Sequence, residues 1–388
     1  MKKYGSMKLK EKNKEKEKDL NNLLSIDGHI KRNNIFDAEE ILYNNNYKNI
    51  AYDKYGFTNN NNENENNKED IKLLSKENER LKKWLEIIPY FENYRKKNKK
   101  KLKRKIRKGI PDSLRGEIWL KVCDIEKLKK GKENYYNELT SKIKESELIK
   151  IPDEDTIIKD MYRTFPGNLM FMNKLGDGQR KLFRVLSCFS MSNQKVGYAQ
   201  GMSFICALFL SYVSEENAFW MFNHYIKDYG LKEIYYPEFP GLKKHLFVLL
   251  KFMKKLLPDI YNQLKENEVF PTIYASSWYL TCFTNYFSYD IAVRIIDCFL
   301  FEGIKIIHRI ALGILALNHD EIVNCKGVSD VMGAFKYMKD KISIEPLFKK
   351  SFSFSISKKK IIKYENLYND YISGIKPEDD EFMKQVKL

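Results

Sequence analysis

Two short stretches each place one polar side chain at the edge of a structural element. Ile157-Ile158-Lys159-Asp160-Met161-Tyr162-Arg163-Thr164-Phe165-Pro166 sets Arg163 just before a proline turn. Gly197-Tyr198-Ala199-Gln200-Gly201-Met202 sets Gln200 between two glycines. An arginine can neutralise charge on a transferring phosphoryl group, and a glutamine can orient an attacking water. The planar guanidinium bridges two phosphate oxygens, which a lysine cannot do, so Arg163 stands out from the many lysines. The amide of Gln200 can accept from water and donate to an oxygen. Side by side, they suit the hydrolysis that a slow GTPase performs poorly unaided.

The chain shows no nucleotide site of its own. There is no GxxxxGK followed by Ser or Thr, no GxGxxG after a strand and no GxSxG elbow. His29, His224, His245, His308 and His319 have no metal-ligand spacing with the cysteines. The pair would therefore complete a site carried by another molecule.

The elements around the pair read as helices. Asp160 lies three residues before Arg163, on the same helical face. It can hold the guanidinium or satisfy a backbone end. Phe165-Pro166-Gly167 breaks the helix. Gln179 to Ser190 is amphipathic, with Leu182, Val185, Leu186 and Phe189 on one face. A loop from Ser192 to Gly197 leads to Gln200. Met202 to Val213 is apolar on nearly every side, which predicts a central buried helix. Helical periods continue to about 372, and the fold class expected is all-α.

At this point the residues resemble a known family. IxxDxxR at Ile157–Arg163, then YxQG at Tyr198–Gly201, follow Gly109-Ile110-Pro111 and Leu114-Arg115-Gly116 with Trp119. This ordered set is similar to the TBC-domain family of GTPase-activating proteins for Rab-type small GTPases. The likeness covers roughly 107–320. It implies one large multi-helical domain, in one lobe or two. It also implies that Arg163 and Gln200 are the two catalytic fingers, with Gln200 taking over the water-orienting role. Asp160, Tyr198, Gly201, Thr164 and Phe165 are the supporting residues. Tyr198 would pack under the loop, and Gly201 would let the backbone come close. Thr164 and Phe165 would fix the turn, and Phe165 would offer an exposed aromatic anchor to the partner. Arg107, Arg115, Gly116 and Trp119 are read as structural, with Arg115 an ion-pair partner. The later matches are Tyr274, Ser277-Trp278, Arg294, Asp297, Phe299, Glu302 and Gly303. Ile296 stands where the family commonly has Trp, a change of packing. GTP and Mg²⁺ would come with the partner, so no cofactor is expected. The chain would be an activator and have no self-contained active site.

Composition sets the outer limits. The 388 residues carry a formal net charge of +17 and are 43% hydrophobic. Such a charge points to an acidic partner or an anionic membrane surface. Residues 1–70, rich in Asn and Lys, read as a disordered tail, in which Ile35-Phe36 and Ile41-Leu42-Tyr43 could serve as a docking motif. Residues 71–106 read as a helical basic lead-in, and 321–388 as a helical extension with a polar tail from Glu378. From Arg95 to Lys108, 11 of 14 residues are Lys or Arg. That run is either a solvated helix face or a contact for anionic lipid, with nucleic acid not expected because no aromatic residues interleave it. Six scattered cysteines, none in a CxxC pair, fit buried thiols in a reducing compartment. No secretory signal and no long apolar stretch is visible, so the expected place is the cytoplasm, either free or peripheral on endomembranes. Two rivals stay open: a Rab-binding scaffold without catalysis, and a basic nucleic-acid-binding protein.

Overall fold

The computed structural model describes residues 52–58, 67–145 and 151–387. The fold is all-α. No β-strand forms among the described residues, although two isolated bridges join Tyr52 to Thr58 and Phe57 to Asn168. The helices that build the core and the site are α1 (Asn67–Leu85), α2 (Phe91–Lys97), α3 (Lys99–Lys108), α4 (Asp112–Cys123), α5 (Glu154–Arg163), α6 (Asp177–Ser192) and α7 (Met202–Leu210). They continue as α8 (Glu215–Asp228), α9 (Pro240–Leu256), α10 (Tyr289–Glu302), α11 (Lys305–Leu317), α12 (Ile344–Ser353) and α13 (Lys358–Ile372). Further helices link them.

The apolar helix expected after Gln200 is α7, and every one of its residues is buried. It packs against α5, α6 and α8. Gly201 at its N-cap supplies no side-chain cap. A missing cap costs about 1 kcal/mol, whereas each buried Phe, Ile or Leu contributes roughly 2 kcal/mol, so packing decides this helix. A second group gathers α9 with α13 and α11 with α12. Gly313 makes the second pairing possible, because a Cβ there would sit 2.1 Å from Ser351 Oγ. Both groups share one continuous apolar core.

The residues read as structural are so placed. Trp119 is fully buried and donates to Asp297 Oδ1 at 2.8 Å. Arg115 is buried and pairs with the same oxygen at 3.1 Å. A Cβ on Gly116 would stand 2.2 Å from the Tyr212 carbonyl oxygen, so α4 needs glycine there to approach. Ile296 is buried in α10.

Three expectations need correction or limits. Most of the tail at 1–70 lies outside the described residues, including both candidate docking motifs. Residues 52–58 within it are folded against the helices, and α1 already begins at Asn67. The Arg95–Lys108 run is not one free surface. It is divided between α2 and α3 at Asn98, Leu102 and Ile106 are buried, and Arg95 pairs with Glu92 and Asp124. The exposed cations left are Lys96, Lys97, Lys99, Lys100, Lys101, Arg104 and Lys108. The polar segment from Glu378 is docked too. Asp380 accepts from Lys254 Nζ at 2.6 Å and Tyr261 Oη at 2.7 Å, while Phe382, Met383 and Val386 are buried. No helix among the described residues is long and apolar enough to cross a membrane.

Glu302 ties α3 to α10 and α11. Its carboxylate meets Arg107 Nε at 2.5 Å, Lys103 Nζ at 2.9 Å and Lys305 Nζ at 2.9 Å. Burial alone would raise its pKa, but hydrogen bonds from Arg107, Lys305 and Lys103 outweigh that and hold it at about 2. A depressed carboxyl contributes stability above its ordinary value near 4.5, and loses it as pH falls from there through about 2. Glu302→Gln is expected to cost on the order of 3 kcal/mol at neutral pH and to flatten the stability profile in that acid window. Urea unfolding of both proteins at a series of pH values checks this. Parallel profiles would refute it.

Candidate functional site

The site is built on the C-terminal end of α5 and the N-terminal end of α7, which pack together. Arg163 is the last residue of α5, and its side chain is 48% exposed. A cation there is favoured by the negative end of the helix dipole. Gln200 is exposed and directly precedes Gly201, the N-cap of α7. Both bounding residues are therefore open to solvent while their supports are buried.

The support common to both is Asp160. It is fully buried, one turn before Arg163. Its Oδ1 pairs with Arg163 Nη2. Its Oδ2 accepts from the Tyr198 hydroxyl at 2.5 Å and from the Gly201 N–H at 3.2 Å. Each reading of this residue thus has its contact: one oxygen holds the guanidinium, and the other satisfies a backbone end. A buried carboxylate without such donors would be costly, and three donors offset that. Tyr198 is buried beneath the glutamine loop. Burial and the neighbouring Asp160 carboxylate push its phenol pKa far above the ordinary range, so it stays a donor.

Glycine is required at Gly201. Its φ is +99°, and a Cβ there would meet Thr281 Cγ2 at 2.9 Å. Gly197 has φ +60°, and a Cβ would meet Asp153 Oδ2 at 2.7 Å. Thr164 is buried, donates to the Asp160 carbonyl oxygen at 2.6 Å and pairs with Ser203 Oγ at 2.7 Å. That bond ties the arginine loop to the first turn of α7.

Phe165 departs from the expectation of an exposed anchor. It is only 8% exposed and packs among Phe57, Phe171, Phe204 and Tyr289. Its φ is +46°, a left-handed backbone that costs of order 1 kcal/mol or more for such a residue. The aromatic nest holds it there. Its role is to fix the turn from within.

Asp153, Ser203 and the segment Tyr52–Thr58 escaped sequence reading. Asp153, directly before α5, accepts from the Tyr198 N–H through Oδ2 at 3.0 Å. Ser203 was hidden inside an apolar run. Tyr55-Gly56-Phe57 after Asp53 did carry a turn signal with flanking aromatics, but it sat in an Asn-rich background. Among the described residues, no group of three or more His, Cys, Asp or Glu is placed to hold a metal ion.

The model of the Rab-GTPase-TBC domain matches residues 112–323, more than half of the chain and both loops. This chain belongs to that family. TBC relatives agree along the sequence. The TBC1 domain family member whacked of Drosophila melanogaster is 34% identical over 260 residues, covering 66% of this chain and 70% of that protein. The human Ecotropic viral integration site 5 protein homolog is 30% identical over 312 residues, covering 78% of this chain but 36% of that protein. The crystal structure of the Chlamydomonas flagellar RabGAP TBC domain superposes with a TM-score of 0.62 at 26% identity, covering 79% of this chain and 100% of that one. The TBC fold thus carries Arg163 and Gln200 on neighbouring helix ends, with Asp160 between them.

Proposed function

We propose that this chain accelerates GTP hydrolysis by a Rab-type small GTPase, supplying Arg163 and Gln200 in trans. What supports this most is the shared Asp160 carboxylate, which ties both exposed loops to one buried point. The partner brings GTP and Mg²⁺. Arg163 stabilises charge on the leaving and transferring phosphate oxygens. Gln200 orients the water by accepting a hydrogen bond from it and donating one to a phosphate oxygen. Asp160 holds Arg163 in position, and Tyr198, Gly201 and Thr164 hold the loops against α7. The chain has no reaction of its own to catalyse. Rab proteins act on membranes, so we place the activity in vesicle trafficking, on the cytoplasmic face of endomembranes. The exposed cations of α2 and α3 suit contact with anionic headgroups there.

The test is single-turnover GTP hydrolysis by a panel of purified Rab proteins with the full chain. At least one Rab is expected to respond by orders of magnitude. Gln200→Ala should lower that stimulated rate about 10²-fold or more, with the partner still bound. A Rab that binds without any acceleration would instead assign the chain to scaffolding. Release from anionic but not neutral vesicles on replacing Lys96, Lys97, Lys99, Lys100 and Lys101 checks the membrane contact.

A further inference from the structure

Residues Tyr52–Thr58 lie outside the matched family range and far from Arg163 in sequence, yet they dock on the loop that follows it. The segment makes its own turn. The Asp53 carboxylate accepts from the Tyr55 N–H at 2.8 Å and the Phe57 N–H at 2.9 Å. The Asp53 N–H donates to the Phe57 carbonyl at 2.8 Å, and Gly56 supplies the left-handed φ of +83°. Turn closure leaves the Tyr55 and Gly56 carbonyls free to receive from outside.

Both are received by the arginine loop. The Leu169 N–H donates to the Gly56 carbonyl at 2.7 Å. Asn168 is buried, and its Nδ2 donates to the Tyr55 carbonyl at 2.8 Å. The Thr58 N–H reaches the Gly167 carbonyl at 3.4 Å. Phe57 meets Phe165 edge-on at 5.9 Å and Tyr289 at 5.1 Å, while Tyr55 packs on Tyr289 at 5.1 Å. Phe165 is the residue whose backbone is left-handed, two positions after Arg163. The segment therefore closes the nest that keeps the turn in its unfavourable conformation.

We propose that Tyr52–Thr58 is a positioning strap for the arginine loop, with Phe57 and Gly56 as positioning residues for Arg163. The inference rests on the activator reading above. The hydrogen bonds and ring contacts of the strap with the loop fall on Phe165, Gly167, Asn168, Leu169 and Met172, and among the described residues none of them falls on Arg163 or Gln200. Arg163 remains half exposed with the strap in place. That arrangement supports the loop from behind and leaves its polar tip open to a partner.

The test uses the full chain and the responding Rab. Single-turnover rates at saturating chain, half-saturating concentration and hydrogen exchange at the Leu169 amide are measured for wild type, Phe57→Ala, Phe57→Tyr and Gly56→Ala. Phe57→Ala should lower the saturating rate about 10-fold to 100-fold, as a displaced catalytic group does, with half-saturation changed less than about threefold. Leu169 exchange should speed up, and Phe57→Tyr should retain the wild-type rate. Gly56→Ala removes no ring and strains only the strap backbone, so it gives the same loss even where Phe57→Ala folds poorly. An unchanged saturating rate overturns the proposal. So does a faster rate, which would make the segment a cover, and so does a change confined to half-saturation, which would make it part of the docking surface. A wild type that accelerates no Rab overturns the activator reading itself, and the strap's role with it.

Discussion

Arg163→Ala should slow the stimulated hydrolysis about 10³-fold or more and leave the fold intact. An arginine supplied in trans is worth about 4 to 7 kcal/mol in the transition state. The structural cost is small by comparison. Arg163 is half exposed, and once it is removed Asp160 still accepts from Tyr198 and Gly201. An ion pair with one exposed partner contributes about 1 kcal/mol or less. Arg163→Lys should fare little better, because a single ammonium cannot span two phosphate oxygens. The measurements are single-turnover rates, partner affinity and thermal midpoint. Retention of the wild-type rate by Arg163→Ala would remove the arginine from the mechanism.

Asp160→Ala should combine a rate defect close to that of Arg163→Ala with a loss of stability. The change frees the guanidinium, and it leaves the Tyr198 hydroxyl and the Gly201 N–H without their acceptor. Each orphaned buried donor costs about 1 to 3 kcal/mol, so roughly 2 to 6 kcal/mol is expected. Asp160→Asn keeps the shape but gains an amide hydrogen on one side, and it should fall between. Combining Asp160→Ala with Arg163→Ala should cost scarcely more in rate than either alone, since both act through one guanidinium. Rate losses that multiply in the double variant would mean that Asp160 acts elsewhere.

The sequence made the centre of this molecule legible for a physical reason. Where a helix is wholly buried, as α7 is, apolar residues occupy every position and the pattern is unmistakable. Where backbone geometry demands glycine, as at Gly201, or where one carboxylate must serve two loops, as at Asp160, residue choice is narrow and spacing betrays it. Docking of polar segments is different. Asp380 and Tyr55-Gly56-Phe57 reach partners more than a hundred residues away, and no local period announces such a contact. Phe165 shows the same limit, because an aromatic beside a turn reads equally well as anchor or as core. The basic run misled through its uniformity. Lys103 and Arg107 serve Glu302, nearly two hundred residues further on, while Arg104 and Lys108 beside them face solvent.

The packing at the two ends of the domain reaches beyond the range that the family model matches. The family model begins at 112 and stops at 323, yet Trp84, Phe91, Leu102 and Ile106 before it, and Leu347, Phe348, Phe382 and Met383 after it, are all buried in the common core. A piece cut at those limits would bare the faces of α9, α10 and α11 that these side chains cover, and contiguous apolar surface of that kind self-associates. The borders of the family match therefore fall inside the object that has to fold.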